Sequence, residues 1–418
     1  MKKIFTLLFA SSLTASLFAQ SYCGSQRYDE EVFSQVSVTT VVYGSSVNVS
    51  GNTDTLRMDI YQPVGDTATI RPLIIFAHGG SFLGGSKTDQ DQVDLCNAFA
   101  KRGYVAATVN YRLGIGFPIN EGNAKKAVWR ATQDMKAAVR FFRKDAATTN
   151  TYMIDPNMII AGGTSAGAFM ALHLAYLDQP SEVPSEIDTT QLGGIEGSSG
   201  NPGYPSTVNA VVNLCGALGD ADYIIPGDVP LVSMHGDQDE TVPYGTEMLY
   251  ILGSFQIMVV DGSRTISMHA NSISVPNAFY TYYNSDHVPY YGTSSTAQAY
   301  MDTTIRFVSN FLYSQLGCTP SDPTPAPNAP SAVGVDDHAA PVAGLAFNNP
   351  ASGSVMISWK NNNEQLRVSI LDIAGRIIKE TIVSGGQANI SLNGITPGTY
   401  FLKLSNGEKY SVEKLVVY

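Results

Sequence analysis

The sequence predicts an α/β protein with a doubly wound parallel sheet, followed by a small all-β domain. Apolar runs with strand character alternate with helical patterns from about residue 72 to residue 177, as in a sheet covered by helices on both faces. A proline-rich stretch lies at 320–330, and such a composition cannot bury a core. After residue 344 short alternating strands are separated by turns, which is typical of a β-sandwich.

The elements of the sheet are predicted from hydrophobic runs and their flanking turn residues. Val38–Tyr43 and Leu56–Tyr61 are joined by a turn-rich segment and are expected to form a hairpin. Pro72–Ala77 is apolar throughout, as a strand buried on both faces should be. The later elements alternate in the order helix 89–101, strand 105–111, helix 124–144, the strand before Ser165, helix 166–177, strands 209–214, 230–234 and 278–283, and helix 296–316.

The stretch Met158–Gly167 connects a strand to a helix through the pattern Gly-x-Ser-x-Gly. A nucleophile elbow requires this context, because its serine must project above the sheet from a strained turn. Gly163 and Gly167 remove side chains that would collide with the turned backbone. We therefore predict that Ser165 is a catalytic nucleophile.

A nucleophilic serine needs a base, and the chain has six histidines. His287 follows the last predicted strand directly, so it is expected at the carboxyl edge of the sheet beside the serine. His269, in a segment without clear periodicity, is the alternative. His173 is expected to be carried along its helix away from the active-site mouth. The other three lie in a loop, a buried strand end and the linker: His78, His235 and His338.

The acid that orients the base is sought in the turn after strand 230–234. This turn holds three carboxylates, those of Asp237, Asp239 and Glu240. We predict Asp239, because Asp237 still belongs to the strand end, and Asp237 is the alternative. At least two of the three carboxylates should be ordinary turn residues in contact with solvent.

The tetrahedral intermediate of acyl transfer needs preorganised N–H donors. Ala166, directly after the nucleophile, is expected to supply one. Gly79, Gly80 and Ser81 follow the third strand, and residues with little or no side chain let backbone amides face a substrate. These four residues form the predicted oxyanion hole.

The motifs in their order resemble an α/β-hydrolase of the carboxylesterase kind, similar to secreted feruloyl- and acetylxylan-esterase-like (BD-FAE-like) enzymes. The resemblance covers about residues 37–316 and implies a Ser-His-Asp triad, an acyl-enzyme, and no metal or organic cofactor. It also implies a structural role for Arg112, and Ser81 stands where the family often has a third glycine. The matching motifs are His78-Gly-Gly-Ser-Phe82, Asn110-Tyr-Arg112, Gly163-Thr-Ser-Ala-Gly167, His235-Gly-x-x-Asp239-x-x-Val-Pro243 and His287.

The N-terminus and the overall charge limit where the protein works and what it binds. Lys2-Lys3, the apolar run Ile4–Leu17 and a cleavage site at Leu17-Phe18-Ala19 before Gln20 predict a signal peptide over residues 1–19. The run is too short for a membrane span, so no stable membrane insertion is expected. The net charge is −11, from 25 basic and 36 acidic residues. Nucleic acid is therefore excluded as a partner.

Four cysteines, Cys23, Cys96, Cys215 and Cys318, show no zinc-ligand spacing. An exported chain favours disulfides, but four cysteines allow three pairings and the sequence does not choose among them. Cys23 would tie a loose N-terminal arm to the body of the protein. Some of the four could instead remain buried thiols.

The C-terminal part resembles the sorting domain of type IX secretion. The resemblance covers residues 345–418 and rests on Asn349-Pro-Ala351, Leu371–Arg376, Pro397–Leu402 and a final basic-hydrophobic strand. It implies export through the periplasm to the medium or the cell surface, with the type IX machinery as a partner. A carbohydrate-binding or adhesive module is the alternative.

The sequence thus predicts four parts: a signal peptide 1–19, a catalytic domain 20–318, a linker 319–344 and a β-sandwich 345–418. Segment 178–207 lacks the apolar face of an interfacial lid, so short acyl esters are expected substrates. The resemblance to feruloyl- and acetylxylan-esterase-like enzymes implies feruloyl or acetyl esters, either as small molecules or linked to a polysaccharide. One rival is a serine peptidase of the prolyl-oligopeptidase type, although the sequence holds no propeller ahead of the hydrolase pattern. The other is a non-catalytic surface or adhesive protein on the same scaffold.

Overall fold

The computed structural model describes residues 22–23, 26–321, 344–361, 365–371, 377–405 and 410–418. The predicted signal peptide 1–19, most of the predicted linker 319–344 and His338 lie outside the described residues. The chain divides into two compact units, residues 1–329 and 330–418.

The first unit holds the predicted alternation of strands and helices. Its strands are β1 Val36–Val47, β2 Thr53–Pro63, β3 Arg71–Ala77, β4 Val105–Val109, β5 Ile154–Thr164, β6 Ala210–Leu214, β7 Ala217–Leu218, β8 Leu231–Gly236, β9 Thr246–Ile251, β10 Phe255–Gly262 and β11 Asn277–Tyr282. Its α-helices are α1 Gln90–Lys101, α2 Glu121–Ala147, α3 Ala166–Tyr176, the single turn α4 Thr189–Leu192, α5 Ser263–Ser272 and α6 Ser295–Gln315.

Eight strands form the main sheet in the order β1-β2-β4-β3-β5-β6-β8-β11. The β1–β2 hairpin joins the sheet antiparallel at one edge, and the strands from β4 to β11 run parallel. Parallel neighbours need crossover connections, which here are helices on both faces. This architecture confirms the predicted doubly wound α/β class.

Strand β3 shows how both faces of the sheet are buried. Leu73 and Ile75 belong to the apolar cluster that packs under α2 and α3. Ile74 and Phe76, which alternate with them, belong to the cluster under α1 and α6. Since successive side chains of a strand point to opposite faces, a run that is apolar throughout fills two cores at once.

The long helices begin where the sequence supplies caps. The Asn120 side chain accepts a hydrogen bond from the Asn123 backbone N–H at the start of α2, and Ser294 caps α6 in the same way through Ala297. Such caps satisfy backbone donors that have no partner within the helix. Helix α2 begins earlier than predicted because its cap, Asn120, lies before the first apolar position, and it also extends past the predicted end to Ala147.

Two segments differ from the simple alternation. Strands β7, β10 and β9 form a separate three-stranded antiparallel sheet, so the region that showed no clear periodicity contains a hairpin followed by helix α5. Segment 178–207 holds a 3-10 turn at Pro180–Glu182 and the short helix α4. Side chains of α2 anchor this segment: Gln133 donates to Leu192 and Gly194 carbonyls, and Lys136 to that of Ile195.

The second unit is all-β, as predicted. Three strands form one sheet, β12 Ala346–Phe347, β13 Ser354–Ser358 and β16 Gln387–Ser391, and four form another, β14 Leu366–Leu371, β15 Ile377–Val383, β17 Gly398–Ser405 and β18 Tyr410–Val417. Trp359, Leu366 and Leu402 belong to an apolar cluster that these strands form.

One disulfide joins Cys23 to Cys318 across 295 residues of chain. It ties the N-terminal arm of the described chain to the end of the first unit, as expected for Cys23. Cys96 and Cys215 are buried free thiols. In the part of the chain that the structure covers, no helix has the length and hydropathy of a membrane span.

Candidate active site

Ser165 lies at the turn between β5 and α3 in a strained backbone conformation, with φ 54° and ψ −120°. A side chain on Gly163 would collide with the backbone of Gly167, and one on Gly167 with the carbonyl of Ala77. The two glycines are therefore required by close backbone approach rather than by flexibility. The Ser165 N–H donates to the Leu214 carbonyl at 2.8 Å, which holds the turn against β6.

The structure brings Ser165, His287 and Asp239 together. His287 Nε2 lies 2.9 Å from Ser165 Oγ, and His287 Nδ1 lies 2.6 Å from Asp239 Oδ2. Because a carboxylate can only accept, Nδ1 carries the proton of the neutral ring and Nε2 accepts from the serine hydroxyl. This arrangement is the geometry of a nucleophile, a base and an orienting acid.

Asp239 accepts hydrogen bonds on both oxygens. Oδ1 receives the N–H groups of Thr241 and Val242 at 2.9 and 2.8 Å, and Oδ2 faces two imidazoles. Its side chain is fully buried, which pushes the pKa of the carboxyl upward, but hydrogen bonds from His235 and His287 outweigh burial and hold this pKa well below its usual value. Asp239 is therefore a carboxylate at neutral pH.

His235 contacts the site in a way that the sequence analysis did not foresee. Its Nε2 lies 3.0 Å from Asp239 Oδ2 and 3.1 Å from the Val242 carbonyl. Its Nδ1 lies 2.7 Å from Ser263 Oγ, and the ring is fully buried. The signal was present in the motif His235-Gly-x-x-Asp239, which placed a strand-end histidine four residues before the acid.

The loop after β3 passes directly against the nucleophile. A Cβ atom on Gly79 would lie 3.3 Å from the Ser165 Cβ, and Gly80 has a φ of 107°, which favours glycine. The Tyr111 hydroxyl donates to the His78 and Gly79 carbonyls at 2.9 and 3.3 Å and so holds the loop in position.

The predicted donors of the oxyanion hole lie on the two sides of Ser165. Ala166 is the first residue of α3, so its N–H has no acceptor within the helix. Ser81 and Ala166 both line the cavity next to Ser165. Arg112 is buried in an ion pair with Asp134 at 2.8 Å, consistent with the structural role that the resemblance implied.

The alternative residues lie elsewhere. Asp237 follows β8 directly, and its buried Oδ1 has no hydrogen-bond partner in the described protein. His269 lies on α5 and contacts the Ile224 carbonyl at 2.9 Å and Asp222 at 3.5 Å. Neither occupies the position that Asp239 and His287 hold beside Ser165.

His173 contributes to the cavity in a way that the sequence did not reveal. The residue does lie on α3, two turns beyond Ser165, but it lines the same cavity as the serine. The helix was predicted correctly, but its sequence left open which of its faces meets the cavity. Tertiary packing turns the face that carries Ser165 and His173 inward.

One set of potential metal ligands overlaps the site. Donor atoms of Cys215, Asp239 and His287 lie within 4.8 Å of one another. Burial raises the pKa of the Cys215 thiol to about 12, so the thiol is protonated at neutral pH and is a poor ligand. The hydrogen bond between Asp239 and His287 already uses the other two groups.

A cavity of about 600 Å³ opens beside Ser165. Its size falls within the roughly 300–1,000 Å³ of small-ligand pockets. Its walls are mainly apolar and come from three places: helices α2 and α3, segment 178–207, and the β9–β10 hairpin. Representative wall residues are Val128, Phe169, Leu177, Ile195, Leu249 and Ile257.

The parallel sheet, the serine at its strand–helix turn and the three side chains beside one cavity define an α/β-hydrolase. Residues 58–218 match the BD-FAE family, and residues 346–418 match the family described as the secretion system C-terminal sorting domain. These two matches confirm both predicted resemblances. The sorting domain marks a secreted or cell-surface protein.

Three curated proteins illustrate the sequence similarity. Carboxylesterase 3B of Mus musculus is 37% identical over 29% of this chain and 20% of its own length. Gut esterase 1 of Caenorhabditis elegans is 28% identical over 38% of this chain and 26% of its own length. The neuroligin-like protein glit-1 of the same organism is 32% identical over 28% of this chain and 15% of its own length. The chain spans about a fifth of the length of these relatives.

Solved structures of esterase 2 from Thermogutta terrifontis are also similar. The form phosphorylated by paraoxon is 23% identical, with 66% of this chain and 94% of that chain covered and a TM-score of 0.48. The propionate-bound form is 22% identical with the same coverage and a TM-score of 0.47.

Proposed function

We propose that this protein is a secreted serine hydrolase of carboxylic esters. The observation that carries the proposal is the continuous hydrogen-bonded series from Ser165 through His287 to Asp239, at 2.9 and 2.6 Å, beside an apolar cavity. The esterase names of two relatives support the same reaction type.

In the first half of the reaction, Ser165 Oγ attacks the ester carbonyl while its proton passes to His287 Nε2. The imidazolium that forms is stabilised by the Asp239 carboxylate. The carbonyl oxygen becomes an oxyanion, which the N–H groups of Ala166 and the Gly79–Ser81 loop stabilise. His287 then gives its proton to the leaving alcohol, and an acyl-enzyme remains on Ser165.

In the second half, water replaces the alcohol. His287 Nε2 takes a proton from the water as it attacks the acyl carbon, and the same N–H donors stabilise the second oxyanion. The Ser165 oxygen leaves and recovers its proton from His287. The chain supplies every proton acceptor that these steps need, so the mechanism calls for no metal or organic cofactor.

The apolar cavity has room for an aromatic acyl group as well as for a short one. Short acyl esters and feruloyl or acetyl esters on plant polysaccharides are the proposed classes. Because α2 side chains anchor segment 178–207, this segment is held in place, and no jump in rate is expected when a triglyceride exceeds its solubility limit.

Covalent labelling tests the proposed nucleophile. A fluorophosphonate probe should label Ser165 in the native protein, peptide mapping should locate the adduct, and Ser165→Ala should abolish the labelling. Absence of labelling in the folded native protein would favour the non-catalytic surface protein.

Turnover assays then test the reaction class. A panel of p-nitrophenyl esters, methyl ferulate, acetylated xylan and aminoacyl nitroanilides should show ester hydrolysis with little or no release of nitroaniline. Faster cleavage of the nitroanilides than of the esters would favour the peptidase.

A further inference from the structure

One face of helix α3 extends from the nucleophile along the cavity. Ala166, Phe169, His173 and Leu177 line the cavity at spacings of three or four residues, which is the spacing of one helix face. His173 comes eight residues after Ser165, so about 12 Å of helix rise separates their Cα atoms. The cavity therefore offers a polar side chain well beyond the reacting carbon.

The hydrogen bonding of His173 leaves one ring nitrogen available. Nδ1 lies 2.8 Å from the Phe169 carbonyl. Since a carbonyl can only accept, Nδ1 carries the proton of the neutral ring and Nε2 is an acceptor. Among the described residues, none forms a hydrogen bond with Nε2. This atom is also not one of the buried, unpaired side-chain atoms, so it is accessible to solvent. The acceptor is thus open to the cavity.

Two aromatic side chains fix the orientation of this ring. The ring is parallel to Phe169, with centroids 6.2 Å apart and an interplanar angle of 6°. Tyr223 meets it edge-on with a centroid distance of 6.4 Å. A ring held on two sides loses little further freedom when it accepts a hydrogen bond, and this favours selective recognition.

The surroundings keep His173 neutral. Burial lowers the pKa of the ring to about 4, although the hydrogen bond to the Phe169 carbonyl opposes this shift. Two other polar side chains on the cavity wall are already used, because Lys136 Nζ donates to the Ile195 carbonyl at 3.0 Å and Gln133 Nε2 donates to two carbonyls. His173 therefore presents a fixed acceptor that no donor in the described part of the chain satisfies.

We propose that His173 determines specificity by accepting a hydrogen bond from a hydroxyl group at the far end of the substrate's acyl part. The proposal rests on the proposed ester hydrolysis. The alcohol must leave beside His287, which protonates it and is not among the residues that line the cavity. The acyl part therefore occupies the cavity. A rigid acyl group with a hydroxyl about 8–12 Å from its carbonyl matches the rise along α3.

A substrate without the hydroxyl group would leave the His173 acceptor unpaired, and this costs binding free energy. A site built to bind a substrate hydroxyl discriminates against the analogue that lacks it, because the buried polar group then loses its partner. Loss of one such hydrogen bond corresponds to roughly a 10- to 100-fold change in rate. We expect a preference of this size between two esters that differ only in the hydroxyl.

The experiment compares methyl 4-hydroxycinnamate with methyl cinnamate, using p-nitrophenyl acetate to measure ester hydrolysis itself. The native protein should favour the hydroxylated ester at least about tenfold in kcat/KM. His173→Phe keeps an aromatic ring but has no acceptor, so the ratio should fall to near one. His173→Gln, whose side-chain carbonyl can accept, should restore part of the ratio. His269→Phe, on α5, is the matched control and should keep the native ratio.

Each outcome decides the proposal. A native ratio near one, with p-nitrophenyl acetate still hydrolysed, would overturn the role of His173 and leave the ester hydrolase intact. A high ratio that persists in His173→Phe would show that another group binds the hydroxyl. Failure to hydrolyse any of the three esters would instead overturn the proposed function on which this role depends.

Discussion

His235 Nε2 lies 3.0 Å from Asp239 Oδ2, the same oxygen that His287 Nδ1 approaches at 2.6 Å. Two imidazoles thus share one carboxylate oxygen, one of them buried and the other facing the nucleophile. Ser263 in turn fixes His235, and the Asn213 amide donates to the Ser263 hydroxyl at 3.0 Å. This buried network holds the acid in the orientation that His287 requires.

Replacement of His235 should alter the site through Asp239. His235→Leu removes one of two N–H donors to Oδ2, and loss of a buried hydrogen bond should lower kcat by roughly 10- to 100-fold. The Asp239 carboxylate then has one hydrogen-bond donor fewer and interacts more strongly with the imidazolium form of His287. His287 therefore releases its proton less readily. The acidic limb of the kcat/KM profile should therefore move to higher pH.

His235→Gln is the matched control for this prediction. The glutamine amide nitrogen can reach the position of Nε2 and keep a donor to Asp239, so most of the activity and the native pH profile should be retained. Equal losses in both variants, with no movement of the acidic limb, would show that His235 only fills space. Circular dichroism would confirm that both variants fold.

The proposed triad should act as a unit. Ser165→Ala and His287→Ala should each lower kcat by roughly 10⁴–10⁶-fold, and the double variant should be little worse than either single variant. The measurement is single-turnover hydrolysis of p-nitrophenyl acetate. His269→Ala is the control. If it lost activity while His287→Ala kept it, the assignment of the base would be wrong.

His173, which is half-buried at the cavity wall, should make the protein sensitive to acid. Its pKa is lowered from 6.5 to about 4 in the folded protein, so below pH 6.5 the unfolded chain takes up a proton that the folded chain does not. This contribution is complete above pH 6.5 and is lost as the pH falls toward 4, by about 2–3 kcal/mol. Urea unfolding at pH 7.5 and 4.5 measures it. His173→Phe should lose less stability over this interval than the native protein, and equal losses would contradict the prediction.

The Cys23–Cys318 disulfide should stabilise the first unit by constraining its unfolded state. Cys23→Ser should lower the free energy of unfolding by about 2–5 kcal/mol. A reducing agent should lower the Tm of the native protein toward that of the variant and leave the Tm of the variant unchanged. A native Tm that does not respond to full reduction, verified by thiol titration, would refute this prediction.

Removal of the C-terminal unit should separate catalysis from export. Truncation after Ser321 keeps the disulfide and the hydrogen bond from the Ser321 N–H to Asp29. Because the two units are compact and all proposed catalytic residues lie in the first, turnover of soluble ester should be unchanged. In the native host the truncated protein should remain in the cell envelope.

The location of the truncated protein tests the sorting role separately. If the truncated enzyme reached the medium at the native level but no longer bound insoluble polysaccharide, the sorting role of the C-terminal unit would be refuted. The alternative of a binding module would then take its place. Cell fractionation with an enzyme assay of each fraction distinguishes the two.

The proposed catalytic residues could be located from sequence because each lies in a segment that follows a strand. Ser165 comes directly after β5, whereas Asp239 and His287 lie in the loops that follow β8 and β11, and the carboxyl ends of parallel strands meet at one edge of a sheet. Those strands were predictable from local sequence patterns, so the loop that carries each candidate residue could be identified from the sequence. The choice of Asp239 over Asp237 also rested on position relative to the strand end, and the structure places Asp239 beside His287.

The β9–β10 hairpin could not be predicted in the same way. Its residues alternate imperfectly because β9 and β10 belong to a small separate sheet, and part of the hairpin packs toward the cavity. A strand that covers a cavity has no continuous buried face, so its sequence lacks the period-two pattern of a core strand.

By itself the sequence determined the order of strands and helices around the main sheet, the strand–helix turn at Ser165 and the separation of a C-terminal β-domain, because these depend on patterns within a few residues. Tertiary structure alone decided the pairing of Cys23 with Cys318 across 295 residues, the contact of His235 with Asp239, and the face of α3 that carries His173 into the cavity. Each of these depends on how distant segments pack in space, and a local pattern carries no information about the distance between segments that are far apart in the chain.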